Sequence, residues 1–382
     1  MGKTYVAAGL IAKLRLRTLY IVPKIPLATQ AVRDLGTCFY SDESTEQLAV
    51  GLYSKSVKAP KVRSSKTKES LVEQGVTVIV INTAITRPIE FFARYDFIIL
   101  DEAHSYCSPQ RRSIFRKATG RAVLGMSATT EDRRDGFDAI LVKELAFDGV
   151  IHADRVPGFT YDDVSFNCEA KVLNYSGPPE HTQNLRHEST GMIFVHYMHN
   201  QYIGDPYRTR LAVGELVNLY DWRGPNEEQH SIYVFAEEID ILEQAKAAFT
   251  RELLDRSRAD ILAATCAPEL GLEMFVGGLK TTKVEEISES GRVLFSTYSY
   301  AGTGISITRM TCVLLLTPRM AGMKQILARV LRRGSDTNIP RVVVDIVDRK
   351  TALKHQVGQR KLAYEHYGFA VKETSVKYQE IP

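Results

Sequence analysis

Three features of this 382-residue chain predict an α/β fold in two halves. Short apolar runs lack polar alternation, as strands of a parallel sheet covered on both faces do. Segments of helical period fall between them, which implies strand–helix–strand units with right-handed crossovers. The pattern lapses between 146 and 204 and then resumes, which separates two parts of similar size.

Taken in order, "TLYIVP" (18–23) reads as a buried strand and "LATQAVRDL" (27–35) as a helix. "VTVIVIN" (76–82), "DFIILDE" (96–102) and "AVLGMSA" (122–128) are further strands. Residues 146–204 have no helical period and several turn signals, so they read as a linker with a few strands, broken at "GPPEH" (177–181). Beyond it, "DPYRTRLAVGELVNLYDW" is a helix, "SIYVFAE" (231–237) a strand and "IDILEQAKAAFTREL" a helix. "RVLFSTYSY" (292–300), "CVLLLTP" (312–318) and "RVVVDIVD" (341–348) are strands, and "TALKHQVGQRKLAYEHY" (351–367) is the last helix. The predicted domains are therefore 1–145 and 205–382, with 146–204 between them.

Composition sets outer limits. Hydrophobic content of 44% and charged content of 25% suit a globular chain. No run of about 18 apolar residues is present, so no membrane span is expected. The five cysteines are far apart, forming neither a zinc pattern nor a disulfide frame, which favours a reducing compartment. The net charge of +4 allows nucleic-acid binding without requiring it.

The chemistry concentrates in a few places. Gly2-Lys3-Thr4 matches the end of a phosphate-binding loop, G-x-x-x-x-G-K-[ST]. The strand at 96–102 ends in adjacent carboxylates, Asp101 and Glu102, followed by Ala103 and His104. Open α/β sheets bind ligands at such strand ends. One acid can hold Mg²⁺ and the other can orient an attacking water. The next strand ends in Ser127-Ala128-Thr129, which offers hydroxyls one strand further on. An acidic pair alone is more often a solvated turn, and Ser-Ala-Thr alone is a common one. Their order behind Gly-Lys-Thr is what gives them weight. His104, with only Cys107 nearby, is not expected to bind zinc.

Together these residues resemble motifs I, II and III of superfamily 2 helicases. "RRDG" (133–136) narrows the resemblance to the branch with xeroderma-pigmentosum-type repair helicases, phage recombination helicases and helicases of large nucleocytoplasmic DNA viruses. Thr130 departs from that branch, which usually has proline there. "VLFSTYSYAGTGISI" (293–307) resembles motif V, with Gly302 and Gly304 in its turn, but carries Thr303 and Ser306 where the branch often has acids. "QILARVLRRGSD" (325–336) resembles motif VI. Gln325, Arg329 and Arg332 sit there at helical offsets, expected on one face, and Ala328 replaces the usual glycine. "RVVVDIVDRKTALKHQVGQRKLAYEHYGF" (341–369) and "GDPYRTRLAVGELVNL" (204–219) are similar to segments of the viral and phage members.

The resemblance implies two tandem RecA-like P-loop domains that clamp ATP and Mg²⁺. Gly2, Lys3 and Gly304 would contact the nucleotide, and Thr4 and Asp101 would hold the metal. Glu102 would orient or deprotonate water, and Arg329 and Arg332 would act as arginine fingers with Gln325. His104, Ser127 and Thr129 would couple the motifs. Pro23, Lys24 and Thr83 are candidates for gripping nucleic acid, expected to be single-stranded or branched DNA. The basic stretch "QRRSIFRKATGR" (110–121) is either a further contact or a polar helix face. A monomer in the cytoplasm, nucleus, infected cell or virion is the implied setting. A non-catalytic nucleic-acid-binding remnant is the competing expectation. The front of the phosphate-binding loop lies outside residues 1–382, so this stretch is expected to bind ATP weakly and a longer form well.

Overall fold

The computed structural model describes residues 3–39, 50–53, 75–127, 136–145, 149–152, 166–257, 270–301, 307–319, 322–332 and 335–381. The chain divides near residue 161 into two compact units.

Among the described residues, the first unit is built on five parallel strands: β1 (Thr18–Val22), β2 (Val50–Tyr53), β3 (Val76–Val80), β4 (Phe97–Asp101) and β5 (Ala122–Met126). Their spatial order is β2-β3-β1-β4-β5. Alternation along each strand separates two apolar layers. Leu19, Ile21, Ile79, Ile98 and Leu100 face one side. Tyr20, Val22, Val76, Val78, Val80, Phe97 and Ile99 face the other. Helices Lys3–Leu14 and Ile25–Cys38 bury Ala7, Ala8, Ile11, Ala28, Ala31 and Leu35 on the second layer. Phe91, Phe92, Ile114, Phe115 and Leu141, from shorter helices, cover the first. Each such aliphatic or aromatic side chain contributes about 1.5–3 kcal/mol when fully buried. That double covering is why β1 and β3 read as uninterrupted apolar runs. β5 lies at the edge, and its Val123 is exposed.

Among the described residues, the second unit has seven parallel strands: β6 (Cys168–Ser176), β7 (Ile232–Ala236), β8 (Leu272–Met274), β9 (Val293–Thr297), β10 (Cys312–Leu315), β11 (Arg341–Asp348) and β12 (Ala370–Lys377). The order is β12-β6-β11-β10-β7-β9-β8. Helices Pro206–Asp221 and Ile239–Ser257 close one face over Ile232, Val234, Phe295, Leu314, Val344 and Ile346. Asp205 caps the first of these helices, its carboxylate accepting the Tyr207 and Arg208 N–H groups at 3.0 Å each.

Two expectations are corrected. Residues 168–176 are not linker. β6 runs between β11 and β12, pairing along eight residues with each. Its alternating "CEAKVLNYS" hides the signal, because Lys171 forms an ion pair with Glu215 at 2.6 Å while its neighbours are buried. The break at 177–181 is a turn and a short 3₁₀ helix (Pro179–His181) within the second unit. In addition, the strand expected at 292–300 stops at Thr297 and turns into helix Tyr298–Ala301.

His230 provides a pH test of the second unit. It is 1% exposed, stacks on Trp222 at 4.1 Å and lies 3.0 Å from the Thr311 hydroxyl. Burial, then Arg341 and Arg292, lowers its pKa from 6.5 to about 4. The folded form thus refuses a proton that the unfolded chain accepts. This contribution to stability is complete above pH 6.5 and is lost as pH falls toward 4, by up to about 3 kcal/mol. Thermal melts of His230→Gln are expected to fall less steeply between pH 7 and 4.5 than those of the parent.

Candidate functional site

In the first unit, β3 and β2 lie on one side of β1, and β4 and β5 on the other. The carboxyl ends of β1 and β4 therefore flank the switch point of the sheet, the usual place for a ligand. Asp101 ends β4 there. Glu102 follows in a left-handed conformation (φ 49°, ψ 48°), uncommon for a residue with a Cβ. The strain is of order 1–3 kcal/mol and has to be held by surrounding contacts.

Those contacts are specific. The Glu102 N–H donates to Asp101 Oδ1 at 3.0 Å. One Glu102 carboxylate oxygen forms an ion pair with the Lys3 ammonium, at the first turn of helix Lys3–Leu14. The other is 3.5 Å from His104 Nδ1, which lies 2.8 Å from the Ser127 hydroxyl. Behind them, wholly buried Tyr106 donates its hydroxyl to the Ile21 carbonyl at 3.1 Å, tying this turn to β1. Lys3, Asp101, Glu102, His104 and Ser127, more than a hundred residues apart at the extremes, thus share one constellation.

Tyr20 was not singled out from the sequence. It is wholly buried, and its hydroxyl faces the Asp101 carboxylate and the Thr4 hydroxyl. It makes no well-formed hydrogen bond among the described residues. Burial raises the Tyr20 pKa, and Asp101 adds to the rise. Burial also raises the pKa of Asp101; Lys3 opposes this and Glu102 reinforces it. Two carboxylates, two hydroxyls and one ammonium thus leave negative charge only partly compensated. Hard oxygen donors of this kind suit Mg²⁺, which binds one or two carboxylates and completes its shell with water and phosphate. The buried Tyr20 hydroxyl, beside Asp101 and Thr4 but without a well-formed hydrogen bond to either, marks the polar space that such a shell would fill. Gly2 and Thr129 lie outside the described residues.

At the end of β1, Pro23 is buried and Lys24 is the exposed cap of helix Ile25–Cys38. Partial desolvation, then Arg111, lowers the Lys24 pKa. A lysine and an arginine thus face each other beside a helix start, where backbone N–H groups add positive partial charge. Thr83 is half-buried in the short helix Ile81–Ala84. The basic stretch 110–121 divides in role. Lys117 donates to the Ile85 and Arg87 carbonyls at 2.6 and 2.8 Å, and Arg112 is paired with Glu144 at 2.8 Å.

In the second unit, Gly322 adopts a left-handed conformation (φ 79°) and leads into helix Met323–Val330. Gln325 is half-buried on this helix, while Arg329 is only 7% exposed and interacts with Tyr233. The expected single face holds for Gln325 and Arg329 alone, because the helix ends at Val330 and Arg332 lies beyond it. Arg332 still reaches the neighbourhood of Tyr233, and burial lowers its pKa. Gly304, Thr303 and Ser306 lie outside the described residues, as do Thr130 and residues 133–135 of the "RRDG" stretch.

The chain is similar to several known proteins. The family described as Type III restriction enzyme, res subunit, matches residues 1–132. Protein QP509L of African swine fever virus (isolate Tick/South Africa/Pretoriuskop Pr4/1996), provisionally named an ATP-dependent RNA helicase, is 30% identical over this whole chain and 69% of its own length. Helicase 161L of Invertebrate iridescent virus 6, also provisionally named, is 24% identical over 97% of this chain and 75% of its own. Among solved structures, S. cerevisiae Dbp5 bound to RNA and ADP BeF3 aligns with a TM-score of 0.54 at 13% identity, covering 99% of this chain and 83% of that one. The restriction-modification enzyme LlaBIII bound to DNA aligns with a TM-score of 0.54 at 14% identity, over 98% of this chain and 29% of that one. These two likenesses concern the fold.

Proposed function

We propose a function from one premise: this chain belongs to the superfamily 2 helicases. It is an ATP hydrolase of the helicase class that acts on nucleic acid. The proposed activity is translocation along, or unwinding of, a strand held through its phosphates. The observation that carries it is the Lys3–Glu102–His104–Ser127 constellation at the end of β4.

In the proposed mechanism, Lys3 exchanges Glu102 for the β- and γ-phosphates of ATP. Thr4 and Asp101 would hold Mg²⁺, which would supply charge neutralisation at those phosphates. Glu102, freed from Lys3, orients a water and accepts its proton as the water attacks the γ-phosphorus and the bond to the β–γ bridging oxygen breaks, so that ADP leaves and inorganic phosphate forms. His104 and Ser127 keep the Glu102 turn in register with the end of β5. Arg329 and Arg332 are the candidates for stabilising charge on the transferred group, with Arg332 the more exposed of the two. An arginine in that role is worth about 10³–10⁵ in rate.

Lys24, Arg111 and the start of helix Ile25–Cys38 form the proposed phosphate grip on the strand, near Pro23 and Thr83. Contacts of this kind position a strand without reading its sequence and weaken steeply with salt. We propose DNA as the strand, supported by the match to the restriction-enzyme family. The provisional names of the viral relatives favour RNA as a second reading.

The test is ATP hydrolysis with single-stranded DNA or RNA of equal length. The expected outcome is stimulation by DNA, loss of hydrolysis in Lys3→Ala, and a stimulation that falls with salt. Greater stimulation by RNA transfers the proposal to RNA. Nucleic-acid binding that ignores ATP analogues, with no hydrolysis, supports a non-catalytic remnant instead.

A further inference from the structure

We propose that Tyr20 is a positioning residue of the cation site: its hydroxyl donates to the Asp101 carboxylate and orients it toward a divalent cation. This rests on the reading that Thr4 and Asp101 hold that cation.

Strand register places the residue. Tyr20 pairs with Ile99 across β1 and β4. Asp101 is two residues beyond Ile99 and so lies on the same face of the sheet. A tyrosine ring spans that diagonal, whereas an aliphatic side chain does not. The face is also the one on which helix Lys3–Leu14 packs, since Tyr20 shares its apolar cluster with Ala7, Ala8 and Ile11. The hydroxyl therefore emerges beneath the first turn of that helix, facing Thr4 and Asp101.

The chemistry gives the hydroxyl a purpose there. The ring alone would fill the layer as well as phenylalanine. A buried hydroxyl whose neighbours are present but not well aligned is unfavourable. A carboxylate drawn toward a cation, or a water in the cation's shell, relieves that state. Asp101 already accepts the Glu102 N–H, so a second donor would fix the plane of its carboxylate. Oriented second contacts of this kind commonly tune metal affinity.

The experiment measures equilibrium binding of a fluorescent ADP analogue to the full chain, in Mg²⁺ and in EDTA, together with melting temperature. Compared are the parent, Tyr20→Phe and Lys3→Ala. The expected result for Tyr20→Phe is about tenfold weaker binding in Mg²⁺, the loss of one hydrogen bond to a charged group. Binding in EDTA and the melting temperature are expected to stay at parent values. Lys3→Ala, which loses a phosphate contact, is expected to weaken both conditions. Tyr20→Phe equal to the parent in Mg²⁺ overturns the proposal and makes the residue core packing alone. Equal weakening in Mg²⁺ and EDTA also overturns it, because the effect then runs through the fold. If the parent binds no better in Mg²⁺ than in EDTA, the cation reading itself fails, and the role of Tyr20 falls with it.

Discussion

Glu102→Gln is expected to lower the turnover of ATP by about 10²–10⁴-fold, the usual range for removing a general base. The sharper expectation concerns affinity. In the structure Glu102 is both the candidate base and the ion-pair partner of Lys3. Any ATP that recruits Lys3 to its phosphates must first compete with that carboxylate. Glutamine keeps the shape and removes the charge, so Lys3 becomes easier to recruit. Turnover should fall while ATP binding is retained or tightened. A carboxylate that served only to hold Lys3 in place would give the opposite pattern, weaker binding with turnover at saturation little changed. Single-turnover hydrolysis and nucleotide binding, measured on the same preparation, separate these outcomes. Hydrolysis by Glu102→Gln at the parent rate removes the residue from the mechanism.

The legible parts of this fold are those where burial is two-sided. β1, β3, β4 and β7 are covered on both faces, so their sequences are mostly apolar without alternation and name themselves. β12 is a parallel edge strand, and most of "AVKETSVK" is exposed. Its pairing with β6 is supplemented by Lys372–Glu169 at 2.6 Å, and such a strand looks like any polar tail. No apolar run marks it in the sequence. β6 is hidden for a related reason, since Lys171 and Asn174 interrupt its apolar pattern, and Glu215, which pairs with Lys171, and Glu373, which accepts from the Asn174 amide, come from elsewhere in the chain. The candidate site divides in the same way. Lys3, Asp101, Glu102, His104 and Ser127 stand out by type and order, because polar groups at strand ends are visible in a sequence. Tyr20 sits inside an apolar run, and only the β1–β4 register relates it to Asp101. Arg332 shows the limit of helical offsets, which locate a residue on a face only while the helix lasts.

Asp345→Asn is expected to destabilise the second unit by about 3–5 kcal/mol, the cost of stranding a buried charge. Asp345 lies in β11 and is wholly inaccessible, as is its partner Arg360. Its Oδ2 accepts from Arg360 Nε at 2.7 Å and from the Tyr364 hydroxyl at 2.8 Å. Asparagine preserves volume but leaves the guanidinium without a counter-charge. The damage should not stay local. Arg360 also donates to the Arg319 carbonyl at 3.2 Å, and Arg319 pairs with Glu237 at 3.2 Å just past β7. The same stretch holds the Thr317 carbonyl, which accepts from Tyr298 at 2.6 Å, and shortly precedes the helix carrying Gln325 and Arg329. Replacing both partners, as Asp345→Leu with Arg360→Met, removes the stranded charge and should recover most of the loss, as buried pairs exchanged for apolar ones often do. Urea unfolding of the parent, Asp345→Leu, Arg360→Met and the double variant forms the cycle that measures this, with Asp345→Asn compared beside it. A double variant no more stable than Asp345→Asn would mean that the hydrogen bonds to Tyr364 and Arg319, rather than the charge, hold this end of the sheet.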